Sequence, residues 1–286
     1  MEKRTMAQIQ SAVLDTCTAA AVVYFYYTHP DFFNPWNLNL QQWILGGLAI
    51  RLAVTLYDHL VVFAVDSLFA QQYLPTRTTG NPVRYVELDV TSVVFLTINA
   101  FHEWIFVQRL CHYIWFSPDV SRQVEDIGLI NTIGSLWVMF VVMDVCYAPL
   151  HHIMHLPKLY PLVHKHHHRQ HFPTRGYLDA GNEHPIEHVI GVLCTWAAVI
   201  AAVTLTQAHA VTIFVFFNIH AALAMLNHSP YDVEFDIIPF LLKYSVANHE
   251  MHHRKFTVNY AQYSMFYDHL MKTFAVYEGP KEKKVL

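Results

Sequence analysis

Six apolar stretches, 7–27, 43–69, 90–111, 127–150, 189–207 and 211–226, occupy nearly half of the chain. Each approaches the roughly 20 residues with which a helix crosses about 30 Å of hydrocarbon. In that medium a backbone satisfies its own N–H and C=O groups only as helix or closed barrel, and uninterrupted apolar runs of this length select helix. The fold class expected is therefore all-α, an integral membrane bundle of about four transmembrane helices plus a re-entrant helical hairpin from the last two stretches, carrying a cytosolic histidine-rich cap. Composition agrees, since 54% hydrophobic against 14% charged residues is too apolar for an ordinary soluble domain. A net charge of -4 points to no partner, and nucleic acid is not expected.

Basic residues orient the bundle, because short loops rich in lysine and arginine stay cytoplasmic. Segments 1–6, 71–87 and 151–188 hold Lys3, Arg4, Arg77, Arg84, Lys158, Lys165, Arg169 and Arg175. Segment 28–42 has none, and the stretch after 106 has Arg109 and Arg122 beside Asp119, Glu125 and Asp126. The first stretch either crosses the bilayer or lies in its interface. It carries Asp15 and lacks the cleavage site of a signal peptide. Lys283 and Lys284 near the carboxyl end resemble a dilysine signal for the endoplasmic reticulum, which works only in the cytosol. The expectation is a multi-pass protein of that membrane with a cytosolic carboxyl terminus. One membrane domain, 1–286, is expected, with transmembrane helices in 1–150. Cys17, Cys111, Cys146 and Cys194 lie in apolar stretches without paired spacing and read as packing residues.

The chemistry lies in the histidines. Of 21, ten fall between 151 and 188, a density that packing does not require. His151 and His155 are spaced i, i+4, and His164, His167 and His168 are spaced i, i+3, i+4. His249, His252 and His253 repeat the second spacing. On helices such spacings put the imidazoles on one face, aimed at a common centre. Neutral imidazole suits iron, zinc, copper or nickel, and eight such ligands exceed what one ion coordinates, so two metals are expected. His228 is a candidate ninth ligand, with His184 and His220 as further candidates. Asp144, two turns before His151, is expected to accept a hydrogen bond from an imidazole, and Glu187 and Glu250 are candidates for the same role. Within the apolar stretches, His102 and Glu103 are expected to hydrogen-bond between helices or to line a substrate entrance.

The order of these residues resembles the fatty acid hydroxylase superfamily over about 144–273, the expected catalytic region. The likeness runs through Asp144 and Tyr147, the H-x-x-x-H of 151–155, the H-x-x-H-H of 164–168 and the Pro173-Thr174 turn. It continues through His184-Pro185-x-Glu187, His228 with Tyr231, the H-x-x-H-H of 249–253, Phe256-x-x-Asn259-Tyr260 and Asp268. Pro149 and His152 stand where tryptophan and arginine are frequent, and Ser229-Pro230 where a small residue and glycine are usual.

That resemblance implies a membrane-bound non-haem di-iron oxygenase. Its catalytic histidines would be His151, His155, His164, His167, His168, His249, His252 and His253. It would use O2 and two Fe ions, with Zn able to take their place in a purified sample. Electrons would come from NAD(P)H through a separate reductase and cytochrome b5. The substrate implied is lipid-like, a sterol, fatty acyl, sphingoid or terpenoid, hydroxylated at an unactivated C–H bond. Desaturation or oxidative demethylation on the same centre is the alternative, and a metal-transport or metal-storage membrane protein a remote one. Neither the substrate nor the oligomeric state is legible in the sequence.

Overall fold

The computed structural model describes residues 2–69, 74, 83–169, 176–238 and 242–278. The Pro173-Thr174 turn, Arg77, Arg175 and the terminal lysines lie outside the described residues. Among the described residues, six helices are long and apolar enough to cross a membrane. They are α1 (Glu2–Thr28), α3 (Leu40–Phe69), α4 (Val90–Phe116), α5 (Ser135–Met154), α7 (Pro185–Thr206) and α8 (Ala210–Asn227). Short helices intervene at α2 (Pro30–Phe33) and α6 (Tyr160–Val163), and α9 (Val246–Lys255) and α10 (Phe266–Met271) follow. The protein is a multi-pass, all-α membrane protein. To this the structure adds a small antiparallel hairpin, β1 (Glu234–Ile238) and β2 (Leu242–Ser245), pairing Phe235 with Tyr244.

The core is built around α5 and α7. Phe140, Asp144, Ala148 and His151 are buried at i, i+4, i+8 and i+11 on α5, so one stripe runs along the helix to its histidine-bearing end. Opposite it α7 buries Cys194, Thr195, Ala198 and Ala202, small residues that let two membrane helices approach closely. At the far end Ser135 and Thr206 exchange a hydroxyl hydrogen bond of 2.6 Å.

Helices α7 and α8 form the expected hairpin. At about 1.5 Å per residue their 22 and 18 residues reach roughly 33 and 27 Å, near a full crossing each. Gln207 turns the chain in the left-handed region at φ 51°, and His209 Nδ1 accepts the Val211 N–H to cap α8. Whether the arms cross or only dip, an even number of passes returns the chain to the face where α5 ended. The histidine segments before and after the hairpin consequently meet.

Helices α3 and α4 pack as a looser pair. The indole of Trp104 sits on Gly46, where a β-carbon would fall 2.8 Å from its ring. Arg51 and Glu103 approach to 3.6 Å across the same pair. His102 stacks with His188 of α7, centroids 6.2 Å apart, so both polar residues serve helix-to-helix contact. The four cysteines are free, and Cys194 is the buried one.

Candidate metal centre

The end of α5 delivers His151 in its last turn, with His155 as the C-cap. The second histidine segment is not the continuous helix its spacing suggests. His164 closes the short α6, and His167 and His168 follow in a 3-10 turn. The tighter winding sends neighbouring rings apart: His164 and His168 go one way, His167 the other. Helix α9 divides similarly, with His249 and His253 on one face at i, i+4 and His252 about 100° round from His253.

Two clusters result, each with its ligand atoms within 4.8 Å of one another. His151, His155, His164, His168 and His252 form the first, and His167, His228, His249 and His253 the second. His228, the C-cap of α8, joins through the Tyr244 hydroxyl, which donates to Leu223 O at 2.9 Å and pins the end of α8 beside α9. His184 and His220 lie outside both clusters. His184 caps α7 by accepting the Ile186 N–H and sits 3.3 Å from Asp15 of α1, while His220 is hydrogen-bonded to the Tyr263 hydroxyl.

The atoms that converge are hard to explain without a cation. His249 Nε2 lies 3.2 Å from His228 Nε2 and 3.1 Å from His253 Nε2. A neutral ring nitrogen has one proton or one lone pair, so it cannot be properly matched to two others of its kind. In the first cluster the tautomers are set from outside. His151 Nδ1–H donates to Tyr260 O at 2.7 Å, and His252 Nδ1–H to Val258 O at 2.8 Å, leaving each Nε2 a lone pair facing inward. His164 Nδ1 lies 2.7 Å from a Glu187 carboxyl oxygen, in a contact without hydrogen-bond geometry. The inward Nε2 atoms of His151 and His164 lie 3.0 Å apart. Metal ligation resolves such an arrangement, and an outer acceptor on each ring is the usual accompaniment of histidine ligands. Burial, and then the neighbouring imidazoles, hold His164, His168 and His252 well below the ordinary histidine pKa, in the neutral form that binds metal.

Asp144 departs from its expected role. It touches no imidazole: its carboxylate accepts N–H bonds from Gln262, Tyr263 and Ser264, each 3.0 Å, and the Ser264 hydroxyl at 2.6 Å. Asp144 therefore acts at one remove, holding the loop whose Tyr260 carbonyl orients His151. Asp268 anchors the same loop from the other side, accepting from Tyr260 N and Ala261 N. Glu187 is buried against His164, and with Glu183 it groups around His167. Glu250 is fully buried in α9. The backbone acceptors Tyr260 O and Val258 O were beyond sequence reasoning, since a carbonyl has no residue signature.

A second tie joins the cap to the membrane. Asp89 caps α4, and the Ser92 N–H and hydroxyl, followed by Arg169 at 2.8 Å, hold its carboxyl down at about 2. Arg169 directly follows the second histidine segment. Nearby, Gly176 lets strand-like residues 84–85 pass, for a β-carbon there would meet Arg84 O at 2.5 Å.

Residues 136–273 match the family model described as fatty acid hydroxylase, and they contain all nine clustered histidines. These residues, just under half of the chain, carry a fatty acid hydroxylase domain. Among its curated relatives, the cholesterol 25-hydroxylase-like protein of Danio rerio is 26% identical over 62% of this chain and 70% of its own length. Cholesterol 25-hydroxylase of Mus musculus is 26% identical, covering 62% of this chain and 58% of that protein. Methylsterol monooxygenase 1 of Rattus norvegicus is 25% identical over 50% and 47% respectively. The chain thus spans from about half to about two thirds of these superfamily members. No solved structure gives a significant match.

Proposed function

We propose that this protein is an O2-dependent di-iron oxygenase that hydroxylates an unactivated C–H bond of a lipid-like substrate, with the nine clustered histidines as its ligands. The observation that carries the proposal is the convergence of imidazole ring nitrogens in two adjacent clusters. Five neutral imidazoles in one and four in the other leave the charge of two cations largely uncompensated, which suits a strongly oxidising centre. A pair of iron ions, when bound, supplies O2 activation and removal of hydrogen from the aliphatic carbon. The remaining work falls to the chain. Tyr260 O, Val258 O and Glu187 orient the rings, and the Glu183 and Glu187 carboxyls offset part of the charge.

A cavity of about 120 Å³ opens against both clusters, lined on the metal side by His151, His167, His228 and His249. Met143, Tyr147, Gly191 and Ala224 form walls between α5, α7 and α8. Apolar walls exclude water and admit part of a lipid from the bilayer side. We read the chain as one membrane domain of the endoplasmic reticulum, with 144–273 as its catalytic region and the cap facing the cytosol, where a separate reductase and cytochrome b5 would pass electrons from NAD(P)H. The same centre would serve desaturation or demethylation, and the product distinguishes these. A transport role is disfavoured, because most of the ligands lie beyond the membrane-spanning helices rather than along a path through them.

Metal analysis of purified protein tests the assignment: two ions per chain are expected, and substoichiometric metal after reconstitution with ferrous iron would refute it. Mass spectrometry of lipids from a host lacking such an enzyme should reveal a product 16 Da heavier than its precursor, the mass of one oxygen atom as an order-of-magnitude marker, roughly, for hydroxylation.

A further inference from the structure

His220 is a polar lining residue of the cavity that has no part in either histidine cluster. It sits in α8, across the cavity from His151, His167 and His249. Its ring stacks on Phe216, centroids 5.8 Å apart, and its Nδ1 is hydrogen-bonded to the Tyr263 hydroxyl. That phenol is fully buried and needs an acceptor for its proton; among the described residues His220 Nδ1 is the partner it has. With Nδ1 accepting, the proton of the neutral ring resides on Nε2. Among the described residues no side chain or carbonyl accepts from that Nε2–H. Gly191, Ala224, Ala180 and Met143 give the cavity a small or apolar wall, and Tyr147, Glu183, Asn227 and Gln262 add polar groups to its lining. A buried donor without an acceptor of its own fixes orientation, because a ligand lacking the matching acceptor leaves it unsatisfied.

We propose that His220 donates a hydrogen bond to the substrate, so that the substrate enters with an oxygen-bearing end, a hydroxyl or carbonyl, and is oxidised within a few carbons of that oxygen. This rests on the oxygenase reading and narrows it. A cavity of this size holds only the end of a lipid, so the donor and the metal clusters address the same few atoms. A substrate entering by a bare hydrocarbon tail would leave the imidazole N–H desolvated without a partner. Gly191 bounds the same space, and a β-carbon there meets nothing within 4 Å, which makes the wall open to substitution from that side.

Binding of tritiated lipid pairs to the full-length, iron-loaded protein in nanodiscs tests this independently of turnover. Suitable pairs are 1-octadecanol against octadecane and cholesterol against cholest-5-ene. In at least one pair the oxygen-bearing member should bind about tenfold more tightly, the value of one hydrogen bond. His220→Phe keeps the stacked ring but removes the donor, and should bring that ratio close to one with metal content unchanged; His220→Gln should restore part of it. The double variant His220→Phe/Tyr263→Phe removes the stranded phenol and should stay as unselective as His220→Phe. Equal binding within both pairs, no binding of any probe, an unchanged ratio in His220→Phe, or recovery in the double variant would overturn the proposal. Loss of two-metal stoichiometry in the unsubstituted protein would instead refute the oxygenase reading, while the binding ratio would still report on the pocket. Gly191→Leu, which fills the cavity, should weaken every probe that binds.

Discussion

Helices α3 and α4 and the region from α5 to α10 solve different problems with different contacts. The first pair is held by an indole on a glycine, ring contacts of Trp43 with Phe101 and Trp104, and a long ion pair, and it turns exposed leucine, valine and phenylalanine side chains toward lipid. The second buries twelve polar or charged residues between His151 and Asn227 among the described residues alone, and its ties reach across more than a hundred residues of sequence, as in the Asp144 to Ser264 bonds. The difference teaches where specificity is stored. A bilayer holds apolar helices upright without much help, whereas a cluster of inward-facing imidazoles exists only if an outer layer of acceptors forces it.

Substitutions can break that contrast. The greatest effect is expected for His168→Ala, which removes a ring from the first cluster: product should fall more than about 100-fold, with metal content dropping to one ion or fewer. Inductively coupled plasma mass spectrometry and product analysis on the same preparation would show both. Next, Asp144→Ala strips three buried N–H groups and a hydroxyl of their acceptor, at about 1–3 kcal/mol each, so thermal unfolding should come well below that of the unsubstituted protein. Glu187→Gln keeps the shape and removes the charge beside His164, and iron affinity should fall about 10- to 100-fold by competition with a chelator.

Acid should also act on the second region. Burial depresses His155, His164, His168 and His252, so below about pH 6.5 the unfolded chain takes up protons that the folded chain refuses. Stability from these groups is complete above that pH and is lost as pH falls toward the depressed values. Chelator-stripped protein should therefore melt at a lower temperature at pH 5.5 than at pH 7.5. The smallest effect on the centre is expected in the first pair. Gly46→Val crowds Trp104 and should cost about 1–3 kcal/mol of local packing, yet leave two metals bound.

The same contrast explains what could be read from the sequence. Membrane spans were legible because hydropathy over twenty residues is a local property, and eight of the nine clustered histidines because ligand spacing is also local; His228 has no such spacing and was a candidate by its place after the helical pair. Their partition was not legible. It depends on a 3-10 turn at His167–Arg169 where the spacing suggested a helix, and on the face of α9 that meets it. The β1/β2 hairpin was missed as well, since its strands of five and four residues carry little pattern beside the apolar runs around them. Asp144 was expected to meet an imidazole and instead holds a loop, because counting turns along α5 cannot foresee a loop arriving from 118 residues away.

Because the 164–168 segment and α9 each furnish rings to both clusters, the two halves of the centre share their walls. An ion seated in one half draws on peptide that also shapes the other. Loading should accordingly be cooperative, with singly occupied protein scarce across a titration, and damage to either half should be felt as damage to both.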